Sequence, residues 1–184
     1  EWKGTVQYDG GGALMNQSIH AVDLLQWFMG DVKNVQAKTA ALSHEGIEVE
    51  DTAVAILEFA NGALGVIEGS TAVYPGFLKR IEISGSAGSA VLEEETLKVW
   101  SFAEESVEDE EIRTRYGSSA GSGGGAGDPG AISHIGHQRQ FEDFIEAVQQ
   151  NRPPYVDGRE ARKSVAIIQA IYESSRTGKI TPVR

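Results

Sequence analysis

A single turn limits most tightly how this chain can fold. Asn61-Gly62 separates two apolar stretches, residues 52–59 and 63–70, and this dipeptide between strand-forming runs predicts a two-stranded hairpin. The first stretch is apolar on both of its alternating sets: Val54 and Ile56 on one, Ala55, Leu57 and Phe59 on the other. Such a pattern predicts a strand covered on both faces. Residues 32–43 are also β-prone, and 79–84 alternate Ile81 and Ile83 against Arg80 and Glu82. A Gly-rich turn at 84–88 leads into two further strands, 89–92 and 97–102. Consecutive strands joined by short turns make an antiparallel meander rather than βαβ units.

Helices flank the meander. Gly10-Gly11-Gly12 opens an apolar helical pattern over 13–29, which Gly30 closes. Near the other end, Phe141, Phe144, Ile145 and Val148 fall at i, i+3, i+4 and i+7 of one helix. A last helix starts at Asp157-Gly-Arg-Glu160, a capping box with Asp157 as N-cap. It carries Ala161, Val165, Ile168 and Tyr172 on one face and ends at Gly178. The expected fold is α+β, a mainly antiparallel β-sheet with helices packed on one face, in a single domain over 1–184. The Gly- and Ser-rich residues 114–131 are expected to form a flexible loop.

Composition narrows the function classes. The 184 residues are 40% hydrophobic and 23% charged, the balance of a globular domain with a core of its own. The net charge of −11 argues against a protein that tracks nucleic-acid phosphates. Six of the eight residues at 104–111 are Glu or Asp, which reads as a solvated loop or strand rim. No apolar run nears the ~20 residues that cross a bilayer, and the first residues do not have the pattern of a signal peptide. Without cysteine, disulfides and thiolate metal sites are excluded, which agrees with a cytoplasmic protein.

Asn16, His20 and Asp23 are the principal candidates for chemistry. Residues 16 and 20 are four apart and share a helix face, aiming an amide and an imidazole at one spot. His20 is suited to moving protons near neutral pH, and Asp23 to orienting its ring. From spacing alone, His20 as a semi-buried histidine with Asp23 as a surface acid is the more ordinary reading. His134 and His137 lack an acidic or imidazole third ligand nearby in sequence, so no metal site is expected. Gly121–Gly127 lacks the ending of a phosphate loop, and Gly85-Ser-Ala-Gly88 leads from strand to strand, the wrong setting for a dinucleotide fingerprint.

Seven segments, in order, resemble the C-terminal domain of the glucose-fructose oxidoreductase / inositol dehydrogenase (Gfo/Idh/MocA) family. They are Trp2-Lys-Gly running to Asp9-Gly-Gly-Gly-Ala-Leu, Ile19-His-Ala-Val-Asp-Leu-Leu, Glu50-Asp-Thr-Ala, Asn61-Gly-Ala-Leu-Gly, Ile81-Glu-Ile-Ser-Gly-Ser-Ala-Gly-Ser, the stretch from His137 through Gln140 and Asp143 to Phe144, and the closing helix with Pro154-Tyr-Val-Asp-Gly. The resemblance implies a companion Rossmann domain that binds NAD or NADP, and a substrate that is a sugar, polyol or sugar derivative. It makes His20 the catalytic proton carrier, with Asn16, Asp23 and Lys3 as substrate contacts. Trp2 would approach the nicotinamide, or pack at the domain junction. The family more often has Asp where this chain has Asn16, and Asn holds a hydroxyl without taking its proton.

The resemblance starts at the family's crossover segment. The dinucleotide fingerprint and the catalytic Lys of the Rossmann half are therefore expected outside this sequence. No cofactor and no turnover are expected of the chain alone. Two other readings share the scaffold: a non-enzymatic small-molecule sensor that also binds a protein partner, and a redox-neutral enzyme using its nicotinamide transiently. Helices on one sheet face leave the other for a second subunit, so a homodimer or homotetramer is expected.

Overall fold

The Asn61-Gly62 turn does close a hairpin. In the computed structural model, which describes residues 4–117 and 134–184, β2 (Thr52–Phe59) and β3 (Leu64–Ser70) pair antiparallel from Thr52↔Ser70 to Glu58↔Leu64. Asn61 fixes the turn by accepting from the Ala63 N–H at 2.9 Å, and Gly62 takes a φ of +89°, open to glycine at no steric cost. β1 (Val32–Ala40) pairs with the other edge of β2, and the two-residue β7 (Thr181–Pro182) caps β1, giving the order β3-β2-β1-β7.

Contacts divide the chain into two compact units, residues 1–75 with 155–184, and residues 76–154. In the first, α5 (Gly158–Thr177) lies along the sheet and packs on α2 (Ile19–Met29). Ile167, Ile168 and Ile171 meet Val35, Ala53, Ala55, Leu57 and Phe59 in the core. The inner set of β2 is therefore Ala53, Ala55, Leu57 and Phe59. Val54 and Ile56 face outward, 46% and 54% exposed, beside Leu64 and Val66 of β3, so one face of this strand is uncovered in the single chain.

β7 reaches only Asn34 and Val35, which leaves further N–H groups along β1 to be satisfied. Serines on α5 do this: Ala37 N–H donates to Ser174 Oγ at 3.0 Å and Thr39 N–H to Ser175 Oγ at 2.9 Å. Asp157 caps α5 as expected, accepting from the N–H groups of Arg159 and Glu160 at 2.9 Å.

The second unit holds β4 (Arg80–Gly85), β5 (Gly88–Glu93) and β6 (Thr96–Phe102) in an antiparallel sheet of their own, with α3 (Val107–Tyr116) and α4 (Ile135–Gln150). The acidic run at 104–111 corrects the sequence reading, because from Val107 onward it is helical. Ser106 and Asp109 form a capping box, and Glu108, Asp109 and Glu110 occupy the first turn, where the helix dipole favours negative charge. Trp100 Nε1–H donates to Asp109 at 2.7 Å and ties α3 to β6. The helix also takes residues 114–116 from the expected loop, while 118–131 lie outside the described residues. The meander is likewise two sheets rather than one, since residues 71–79 between β3 and β4 pair with no strand.

Candidate functional site

Three consecutive glycines lead into the site for different reasons. Gly10 ends the short α1 (Val6–Asp9) at a φ of +70°. Gly11 and Gly12 have no such dihedral; they are required by space. A Cβ on Gly11 would lie 2.2 Å from the Tyr172 hydroxyl oxygen, and one on Gly12 would lie 1.8 Å from the Glu50 carbonyl oxygen. The chain here runs directly against the start of β2 and the body of α5.

Glu50 holds that crossing. Its buried carboxylate accepts from the N–H groups of Gly12 and Leu14, both at 2.9 Å, and from the Tyr172 hydroxyl at 3.0 Å. Its carbonyl accepts from Ala13 N–H at 2.9 Å. Burial, the neighbouring Glu50 charge and this hydrogen bond push the Tyr172 phenol well above its ordinary value. A glycine-rich segment opening a helix would ordinarily suit a phosphate, but Glu50 already occupies its donors with a negative charge. This glycine segment therefore does not fit the pyrophosphate of a dinucleotide.

Downstream of this anchor the helix begins with a wide turn. Residues Leu14–Ser18 are π-helical and run without a break into α2, a feature common at functional sites. The turn lies against Gly69 of β3, where a Cβ would fall 2.7 Å from Ser18 Oγ. Asn16 sits on the exposed side. Its Nδ2 donates to the carbonyls of Gly11 at 2.8 Å and Gly12 at 3.4 Å, so the amide orientation follows from its partners. The side-chain oxygen is left to accept from a ligand hydroxyl.

His20 and Asp23 are both exposed on the first turns of α2. No hydrogen bond or ion pair joins them among the described residues, so Asp23 does not orient the His20 ring here. Trp2 and Lys3 lie outside the described residues. Among the described residues no three His, Asp or Glu side chains converge as metal ligands, and no helix is long and apolar enough to cross a membrane.

Asn16 does line a shallow concavity of about 190 Å³, together with Ala13, His44, Ile47, Val49 and Thr71. That is below the ~300–1,000 Å³ of a complete small-molecule site, as a half-site would be. Beneath it lies Asp51, 1% exposed, which accepts from the N–H groups of Leu42, Ser43 and His44 and from the Thr52 hydroxyl. Those backbone donors, that of His44 first, hold its carboxyl far below the usual carboxylate range. It also meets His44 Nδ1 at 3.2 Å.

A family model described as the oxidoreductase family, C-terminal alpha/beta domain (GFO_IDH_MocA_C), matches residues 1–184. The chain belongs to this family. Its curated relatives include the uncharacterized oxidoreductase YrbE of Bacillus subtilis, 43% identical over 84 residues, which are 44% of this chain and 25% of that protein. Another is the myo-inositol 2-dehydrogenase of Thermotoga maritima, 40% identical over 82 residues, 42% of this chain and 25% of that protein. Among solved structures, the WlbA dehydrogenase of Bordetella pertussis in complex with NADH and UDP-GlcNAcA superposes with a TM-score of 0.82 at 35% identity. The match covers 100% of this chain and 51% of that one. The chain thus spans about half the length of its solved relative.

Glu50, Asp51, Tyr172 and His44 were not singled out as site residues from sequence. Glu50 and Asp51 stood within a recognised segment with no role attached. Nothing in the sequence links His44 to Asn16, since they are far apart along the chain and meet only because β2 returns beside the π-helical turn.

Proposed function

We propose that this chain is the substrate-binding and oligomerisation half of an NAD(P)-dependent oxidoreductase acting on a sugar, polyol or sugar derivative. The observation that carries the reading is Asn16 lining a half-sized concavity from the π-helical turn, with His20 exposed on the first turn of the α2 that follows, in a chain of this family. In the reaction, Asn16 holds a substrate hydroxyl through its free amide oxygen. His20 takes the proton of the reacting hydroxyl during oxidation, or returns it during reduction. Asp23 and Lys3 contribute further substrate contacts, and Trp2 approaches the cofactor. The nicotinamide cofactor belongs to a companion Rossmann domain, and the chain alone neither binds NAD(H) nor turns over substrate.

The relatives guide the choice of substrates. WlbA was solved with NADH and UDP-GlcNAcA, and the Thermotoga relative is a myo-inositol 2-dehydrogenase. The intact protein should therefore be assayed for NADH or NADPH formation, and for the reverse reaction, with myo-inositol, UDP-GlcNAcA and a panel of free sugars. His20→Ala should lower kcat at least a hundredfold, the usual weight of a positioned acid–base group being about 10²–10⁴. A variant as active as the wild type would remove His20 from the mechanism.

Asn16 also favours a second reading, a small-molecule sensor, since its amide cannot take a proton. Binding of a panel member without turnover by the intact protein would support that reading. We also infer a homodimer or homotetramer formed through the outer face of β2 and β3, and a cytoplasmic setting, with which a cysteine-free chain is compatible.

A further inference from the structure

A histidine other than His20 lines the concavity, and its orientation is fixed from below. His44 lines the hollow beside Asn16, and its Nδ1 lies 3.2 Å from Asp51 Oδ2. The carboxylate below it is itself rigid. Asp51 is buried at the start of β2, and both its oxygens accept from the loop at 42–44 and from Thr52.

The tautomer follows from these partners. A carboxylate held in its ionised form can only accept, so the proton between the two groups belongs to His44 Nδ1. In the neutral ring, Nε2 is then an acceptor, and no described residue occupies it. Half of the His44 side chain is exposed, so this nitrogen is open to a ligand. Around it the hollow offers a mixed surface: Ala13, Ile47 and Val49 are apolar, while the Asn16 side chain and Thr71 are polar. Such a wall suits a ring that carries hydroxyls on its edge and C–H groups on its face.

We propose that His44, held by Asp51, is a substrate-positioning residue whose Nε2 accepts a hydrogen bond from a hydroxyl of the bound sugar or polyol, next to the hydroxyl held by Asn16. This rests on the oxidoreductase reading of the site. His44 is not a proton carrier in it: His20 moves the proton, and the Asp51–His44 pair fixes which hydroxyl is presented.

Three variants of the intact protein test it. Asn can replace the Nδ1 donor of histidine but has nothing at the Nε2 position, so His44→Asn keeps the Asp51 contact and removes the proposed substrate contact. His44→Gln reaches the Nε2 position. His44→Asn should raise KM for the turned-over member of the myo-inositol, UDP-GlcNAcA and free-sugar panel about fivefold, the weight of one neutral hydrogen bond. Its kcat should stay within twofold and its melting temperature should not change. His44→Gln should recover part of the KM loss, and His20→Ala should lower kcat instead. Nitrogen-15 NMR of the ring should show the Nδ1-protonated tautomer at pH 8, with the Nε2 resonance moving on addition of substrate. An unchanged KM in His44→Asn, with wild-type turnover intact, overturns the proposal and leaves the oxidoreductase reading standing. An Nε2-protonated ring overturns it without recourse to activity. Absence of both binding and turnover by the wild type across the panel overturns both.

Discussion

Replacing Gly12 by alanine tests whether the glycine crossing is what holds the site. The added Cβ would lie 1.8 Å from the Glu50 carbonyl oxygen, 2.8 Å from its carbonyl carbon and 2.9 Å from its nitrogen. All three are backbone atoms at the entry to β2, so no rotamer change relieves the contact. The two segments must separate by more than an ångström. That motion breaks Ala13 N–H to the Glu50 carbonyl, and it loosens the Gly12 and Leu14 bonds to the buried carboxylate. Overpacking of this kind costs about 1–3 kcal/mol. Weakening hydrogen bonds to a charged acceptor adds about 1.5–3 kcal/mol. We expect a loss of about 4 kcal/mol, which for a chain of this size lowers Tm by about 8–16 °C. Calorimetry of wild type and variant reads it directly. Two controls separate space from dihedral strain. Gly62→Ala has a φ of +89° but open surroundings, and should cost about 1 kcal/mol. Gly136→Ala, in α4 with nothing nearby, should gain about 0.5–1 kcal/mol. A Gly12→Ala variant within 1 kcal/mol of the wild type would refute the reasoning, because the close approach of residue 12 to Glu50 would then not exist in solution.

Two further outcomes follow from the same packing. Tyr172 ionises in the folded protein well above its ordinary value of 10.0, owing first to burial and then to the Glu50 charge. Its stabilising contribution is therefore complete below pH 10 and is lost as pH rises beyond it. In Tyr172→Phe, the fall in urea midpoint above pH 10 should be shallower than in the wild type, and identical slopes would exclude the phenol. On the outer sheet face, Ile56→Glu puts a charge at the centre of an apolar strip formed with Val54, Val66 and Leu64. Sedimentation should show the intact wild type as a dimer or tetramer and this variant shifted to smaller species at micromolar concentration. A wild-type monomer would remove the interface.

What could be read from the sequence is what local chemistry dictates. Asn61-Gly62 announces the hairpin because a tight turn needs a positive φ, which Gly62 supplies, and Asp157 announces α5 because its carboxylate sits where the first N–H groups emerge. Ser106 and Asp109 carry the same kind of signal for α3. It was obscured by the run of negative charge around it, which composition alone reads as solvated chain. The break between β3 and β4 had no comparable marker, since alternation shows that strands exist and not which of them share a sheet.

The site divides along the same line. Asn16 and His20 are visible because a spacing of four is a property of one helix. Glu50 acts on residues far away in the chain. Asp51 holds the nearby 42–44 loop, whose His44 meets Asn16 only across the hollow, and these roles depend on where the meander returns. Glu50 and Asp51 are adjacent in sequence, yet alternation sends their side chains to different tasks. One neutralises the donors of the helix that carries Asn16, and the other fixes the loop that carries His44. Two buried negative charges at the head of β2 thus set the two sides of one hollow. A substitution at either acid should therefore disturb ligand geometry as well as stability.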